Sequence, residues 1–252
     1  MKVAIVGYGP VGQATKRLLS NCEIECVIQD PAKDPSLMIS DWSDIDLAFI
    51  CVPTDTGLDG KLDLSVLKKA VESVEMYAHC IIRSTIGPDQ VNEFSKCSVM
   101  PEFIRERYWA EDVDSKVTPC IIGTTNPLRL TDLLIALESK QYSPSITSPR
   151  QAMMTKLSIN TFLAMKVAFA NDMWKICERL GMEYDHIKEL VITDPRVGKT
   201  HWDVPGPNGQ FGFGGKCFPK DTKHFAQLCP DHTPLVQEVT RYDYDQYGRF
   251  LK

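Results

Sequence analysis

A short apolar strand that runs directly into a glycine turn and then a helix constrains this chain more than any other feature. Lys2-Val-Ala-Ile-Val6 is β-branched and apolar, Gly7-Tyr-Gly9-Pro-Val-Gly12 follows, helical spacing continues to Leu19, and Cys26-Val-Ile-Gln-Asp30 forms a second strand. Together they make a βαβ unit of about 30 residues, the context in which a G-x-G-x-x-G turn binds a dinucleotide. Gly7 permits the tight turn. Gly9 lets backbone approach a pyrophosphate, with Pro10 and Val11 completing the turn, and Gly12 allows helix and strand to pack closely. The helix amino end then faces the phosphates. Asp30, about 20 residues past the turn, is placed to accept hydrogen bonds from ribose hydroxyls and to repel a 2′-phosphate, which favours NAD over NADP.

Strands and helices keep alternating. Leu47-Ala-Phe-Ile-Cys-Val52 is a buried strand ending at Pro53-Thr-Asp55, Leu64 to Met76 has helical spacing, and Cys80-Ile-Ile-Arg83 is a strand ending at Ser84-Thr85. Ligands of open parallel sheets bind beyond the carboxyl ends of the strands, so Val52, Pro53, Thr54, Ser84 and Thr85 are candidate cofactor contacts. Taken singly, each also suits a solvated turn or helix cap. Ile121-Ile-Gly123 and Tyr142 to Ile146 supply the last strands. From Arg150 to about Gly181 the pattern changes to one helix of roughly 30 residues, apolar on more than one face, which suggests burial or a subunit interface. Residues 194–216, rich in Gly and Pro, form a binding loop, and the tail from Thr233 forms a final helix whose Arg241–Tyr247 stretch is a solvated or partly buried face. The expected fold class is α/β: an N-terminal Rossmann domain with a doubly wound parallel sheet over residues 1–149, then a smaller, mainly helical domain over residues 150–252.

Chemistry concentrates in Phe211-Gly-Phe-Gly-Gly-Lys-Cys217-Phe-Pro-Lys-Asp221. Cations at Lys216 and Lys220 favour the thiolate of Cys217, the form a nucleophile needs. A structural cysteine in a glycine loop is the plainer reading; a nicotinamide site in the same chain shifts the balance toward oxidation through a covalent thioester. Lys156 and Asn160 are four residues apart and share a helix face.

Composition narrows the alternatives. With a net charge of −5, the chain has no basic surplus for nucleic acid. No apolar run approaches the ~20 residues of a membrane span. Nine scattered cysteines without a CxxC pair fit reduced thiols in a cytoplasmic protein, and five dispersed histidines outline no metal site.

In order along the chain, the glycine turn, Cys51-Val-Pro-Thr-Asp55, Arg83-Ser-Thr-Ile86, Pro101-Glu-Phe-Ile-Arg-Glu106, Lys156-x-x-x-Asn160, Asp194-Pro-Arg-Val-Gly198 and Gly214-Gly-Lys-Cys-Phe-Pro-Lys-Asp221 resemble the UDP-glucose/GDP-mannose dehydrogenase family. The resemblance implies oxidation of a sugar or nucleotide-sugar primary alcohol to a carboxylate, with two hydrides passed to NAD. It implies that Asp221, through a water, helps take the alcohol proton, and that Lys156 and Asn160 stabilise the oxyanion. Cys217 carries the thiohemiacetal and thioester, and Glu102 assists the hydrolytic water. Thr85 and Glu106 order the nicotinamide region, Lys220 lies toward the cofactor, and Phe103, Arg196, Phe211 and Gly214 contact substrate. Glu102 and Glu106 equally fit surface carboxylates on a short helix. The resemblance also implies a homodimer through the helix at 150–181. Gly87-Pro88 and Met100 depart from the family pattern. Longer members carry a third, C-terminal domain that grips the nucleotide, and this chain stops at Lys252, so a weakly held UDP-sugar or a smaller substrate is expected. Two alternatives keep the fold: a single-step 3-hydroxyacid dehydrogenase, which needs no Cys217, and a non-catalytic NAD-binding remnant.

Overall fold

In the computed structural model, β1 (Val3–Val6) leads through the glycine turn into α1 (Pro10–Asn21) and β2 (Cys26–Gln29). The model describes residues 1–57, 61–105 and 107–247, the last four by their backbone alone. The chain continues as β3 (Leu47–Ile50), α2 (Ser65–Val74), β4 (His79–Ile82), β5 (Ser98–Val99), α3 (Trp109–Ser115), β6 (Ile121–Gly123), α4 (Thr131–Ser139) and β7 (Ser145–Thr147). α5 (Pro149–Leu180), α6 (Tyr184–Val191), α7 (Phe218–Leu228) and α8 (Pro234–Tyr247) complete it.

The strands form one sheet in the order β2-β1-β3-β4-β5-β6-β7. Strands β1 to β5 pair in parallel, with Ile5 opposite both Ile28 and Phe49. The β-branched and apolar runs form these strands because both sheet faces are covered. On one face Ala4, Val6, Ala48, Ile50 and Ile82 pack with Leu67, Val71 and Val74 of α2. On the other, Val3, Ile5, Leu47, Phe49 and Ile81 pack with Leu18 and Leu19 of α1 and Leu133 and Leu137 of α4. That alternation is the doubly wound arrangement expected. The chain reverses its winding between β1 and β3, which opens a crevice at their carboxyl ends, where this architecture binds ligands.

One detail departs from an all-parallel sheet. β5 and β6 pair antiparallel, Val99 opposite Gly123, so β6 and β7 run against the rest. With only two residues, β5 is too short to show any periodicity in sequence.

The chain divides into two compact units, Met1–Lys156 and Leu157–Lys252, and α5 runs through the division. In the second unit Ala164, Ala168 and Phe213 form a buried cluster, with Val167, Phe218, Val239 and Tyr242 packed on it.

Candidate active site

In the first unit, the glycine turn is fixed by steric necessity at two positions. Gly7 has φ +89°, and a Cβ there would lie 2.7 Å from the carbonyl oxygen of Cys51. A Cβ on Gly12 would fall on the carbonyl oxygen of Gly7. Gly9 differs: a Cβ there meets no protein atom within 4 Å, so packing does not demand glycine, and the turn is open there to close approach of a ligand. No side chain caps the amino end of α1, and Pro10 opens it, leaving a concentration of N–H dipoles suited to an anion. The Asp30 carboxylate accepts a hydrogen bond of 2.7 Å from the Tyr8 backbone N–H, and Lys33 Nζ donates to the Tyr8 carbonyl at 2.8 Å. Asp30 therefore holds the turn's shape and keeps acceptor capacity for a further donor. These residues fit a dinucleotide.

The loops after β3 and β4 are stitched together. Thr54 Oγ1 donates to the Thr85 carbonyl at 2.7 Å, and Ser84 Oγ donates to the Val52 carbonyl at 2.6 Å. Both hydroxyls are buried and spent on backbone, so they act here by shaping the crevice. Pro53 is exposed beside them. Burial pushes the neighbouring Cys51 thiol up to about 11.

Glu102 is the centre of a buried ionic cluster. One carboxylate oxygen accepts the Phe103 N–H at 2.8 Å and the Ile104 N–H at 3.1 Å. The other is ion-paired with the Arg83 guanidinium, whose side chain is 5% exposed. Burial disfavours the charge on Arg83 and lowers its pKa. The Lys156 ammonium donates to the Glu102 carbonyl and sits 5.4 Å from the centre of the Phe103 ring. Glu102 is thus a buried, paired carboxylate, which disposes of its reading as a surface group. Glu106 lies outside the described residues.

In the second unit, Asn160 Nδ2 donates to Asp221 Oδ2 at 2.6 Å, and Lys220 Nζ lies 2.9 Å from Asp221 Oδ1. Asp221 is fully buried. Cys217, exposed, is the residue that starts α7, and its carbonyl accepts from the Asp221 N–H at 2.8 Å. Anions are stabilised at a helix amino end, so this position suits a thiolate. Lys216 is exposed beside it. The glycine loop before Cys217 is pinned from two helices: Asn171 Oδ1 accepts from the Gly212 N–H at 2.9 Å, and Asp243 Oδ1 from the Phe213 N–H at 3.0 Å. The Phe211 ring packs against Trp174 at 4.8 Å, and Gly214 follows in the half-buried part of the loop. Arg196 is spent on a bidentate pair with Asp194, and its side chain is 87% exposed.

Sequence reading overlooked three of these residues. Arg83 carries a visible cue, a cation closing an apolar strand. Asn171 is one polar residue on an apolar helix. Asp243 is the buried member of the Arg241–Tyr247 stretch, expected to be a solvated or partly buried face: it is fully buried and accepts from the loop. Among the described residues no cluster of metal-ligating side chains occurs, and no helix is long and apolar enough to cross a membrane.

Residues 150–243 match the model of the UDP-glucose/GDP-mannose dehydrogenase family, central domain. The match places residues 150–243 in that family. A UDP-glucose 6-dehydrogenase of Rickettsia prowazekii (strain Madrid E) is 30% identical over 227 residues, which is 81% of this chain and 49% of the relative. Another, from Rickettsia bellii (strain RML369-C), is 31% identical over 192 residues, 69% of this chain and 42% of the relative. The chain spans about half the length of the curated relatives it matches. A solved UDP-glucose dehydrogenase from Pyrobaculum islandicum aligns with a TM-score of 0.78 at 23% identity, covering 96% of this chain and 68% of that one. Mycobacterium tuberculosis 3-hydroxyisobutyrate dehydrogenase aligns with a TM-score of 0.72 at 16% identity, covering 97% and 93%. At such identities both likenesses are of fold alone. The matched range includes Lys156 and Asn160, one turn apart on α5, and the Cys217–Asp221 segment.

Proposed function

We propose that the protein is an NAD-dependent dehydrogenase that oxidises the primary alcohol of a sugar, of the nucleotide-sugar class, to a carboxylate through a thioester on Cys217. The observation that carries this reading is the buried Asn160–Asp221 hydrogen bond of 2.6 Å. It ties the oxyanion-stabilising pair on α5 to the helix that Cys217 begins.

NAD bound at the glycine turn supplies the hydride acceptor for each oxidation. Asp221, held by Lys220 and Asn160, relays the alcohol proton to water as the aldehyde forms. Asn160 has one amide hydrogen left after its bond to Asp221; it and the Lys156 ammonium stabilise the developing oxyanion. The Cys217 sulfur adds to the aldehyde carbon. Loss of hydride from that carbon, and of the hydroxyl proton to water, leaves a thioester. Water then attacks the thioester carbon with Glu102 assisting, and the C–S bond breaks to return the thiol and release the carboxylate. Thr54, Ser84 and Thr85 shape the crevice, and Phe103, Phe211 and Gly214 face substrate.

We further propose a homodimer through α5. Phe162, Phe169, Ile176 and Leu180 of that helix are 64%, 59%, 55% and 64% exposed, and the first three recur at seven-residue intervals as in a helix–helix seam. Nine free cysteines fit a reducing, cytoplasmic setting.

Counting NADH per UDP-glucose consumed tests the mechanism. Two per substrate is expected of the parent, and Cys217→Ser should stall the complete oxidation. One NADH with release of an aldehyde would favour the single-step reading. Two NADH from Cys217→Ser at the parent rate would make that cysteine structural.

A further inference from the structure

The amino ends of β4 and β5 hold two thiols that the proposed reaction does not use. In the parallel pairing of these strands Ile81 lies opposite Ser98 and Ile82 opposite Val99. One residue back in the same register, Cys80 stands opposite Cys97. Adjacent strands run about 4.8 Å apart, inside the Cα separation of about 4.4–6.8 Å that a disulfide spans. Both side chains turn to the same face of the sheet, into the cluster that contains Ala78 and Ile82.

The two sulfurs are chemically unequal. A hydrogen bond between them pushes the Cys80 thiol up and holds the Cys97 thiol below its ordinary range; burial adds to the first effect and opposes the second. Lys96 also favours the Cys97 thiolate, and Glu75 opposes it. Cys97 is therefore the better nucleophile of the pair, with Cys80 positioned to resolve. Although the residues are 2% and 5% exposed, both line a cavity of about 390 Å³ that is also bordered by His79, Lys96, Thr124 and Arg129. A small polar oxidant fits that space.

We propose that Cys80 and Cys97 form an oxidisable dithiol, a modification site of the first unit that takes small peroxides and closes reversibly to a disulfide. The Cys97 thiolate attacks one peroxide oxygen, the O–O bond breaks, and the departing oxygen takes a proton, leaving Cys97 sulfenic acid. Cys80, losing its proton to water, attacks that sulfur; the S–S bond forms and hydroxide leaves to become water. Two thiols and one hydrogen peroxide give one disulfide and two waters. The link ties the strand that ends at Arg83 to the strand that leads to Glu102, so the modification bears on the ionic cluster. Cys217 belongs to the other unit.

The test is peptide mapping of the full chain after brief exposure to dilute hydrogen peroxide, alkylation under denaturing conditions and tryptic cleavage. Cys80 falls in residues 70–83 and Cys97 in residues 97–105, each with a single cysteine. The expected result is a joined peptide in most chains, two hydrogens lighter than its parts and released by a thiol reductant. In Cys80→Ala the joined peptide should vanish and Cys97 should be trapped as sulfenic acid by a 1,3-dione reagent. The inference is overturned if the parent chain yields both peptides alkylated while Cys217 or Cys229 is oxidised. It is equally overturned if Cys97 accumulates as sulfenic acid with Cys80 intact.

Discussion

Replacing Arg83 by methionine isolates the ionic cluster that the first unit buries. Methionine keeps much of the side chain's apolar length but leaves the Glu102 carboxylate without its cation. Removing one partner of a buried ion pair costs about 3–5 kcal/mol, because the surviving charge is stranded. Here Glu102 retains the Phe103 and Ile104 N–H groups, which compensate part of the loss, so the lower end, about 3 kcal/mol, is expected. For a unit of this size that corresponds to a fall in melting temperature of about 6–12 °C. The companion change Glu102→Gln removes the stranded charge, so the double variant Arg83→Met/Glu102→Gln should be more stable than Arg83→Met alone by about 1–2 kcal/mol, a coupling expected only of residues in contact. Thermal and urea unfolding monitored by circular dichroism measure both quantities. If Arg83→Met lies within about 0.5 kcal/mol of the parent, or if the two changes simply add, Arg83 does not neutralise Glu102 and the cluster has been misread.

Gly12→Ala should cost about 3 kcal/mol, the upper range for overpacking, since the new Cβ meets the Gly7 carbonyl; an alanine variant with unchanged melting temperature would contradict this. Calorimetric titration should show NAD bound at least about tenfold more tightly than NADP, a difference of about 1.4 kcal/mol; equal affinities would mean that the Asp30 carboxylate, bonded to Tyr8 at 2.7 Å, does not face the ribose. Phe162→Glu, on the exposed stripe of α5, should convert a dimer to a monomer in light scattering at micromolar concentration, and a dimer that persists would place the subunit contact elsewhere.

How much of this was legible in sequence depends on whether a residue's task is local. The glycine turn could be read because each glycine answers to a neighbour a few residues away, and the structure returns those contacts: Gly7 against Cys51 and Gly12 against Gly7. The strands Val3–Val6, Leu47–Ile50 and His79–Ile82 and the helix Pro149–Leu180 followed from apolar period and length. β5 did not, because two residues carry no period, and with it went the antiparallel junction to β6. Its existence depends on an edge offered by β4, which is a property of the assembled sheet.

The candidate catalytic groups show the same division. Lys156 and Asn160 share a helix face by spacing alone, and Cys217 caps the helix whose first turn holds Asp221. What spacing could not disclose is how each group's charge is balanced. Asp221 meets Asn160 across 61 positions of chain, and Glu102 meets Arg83 at the end of a different strand. Those pairings decide the chemistry available. The Glu102 carboxylate is held in place by a guanidinium and two backbone amides, whereas that of Asp221, on α7, is held by Lys220 and by the Asn160 amide of α5. In the proposed reaction the first carboxylate is the acceptor for water and the second the proton relay beside the nucleophile. Glu102 and Asp221 therefore differ in their partners, which is the asymmetry that the proposed two-step oxidation and hydrolysis calls for.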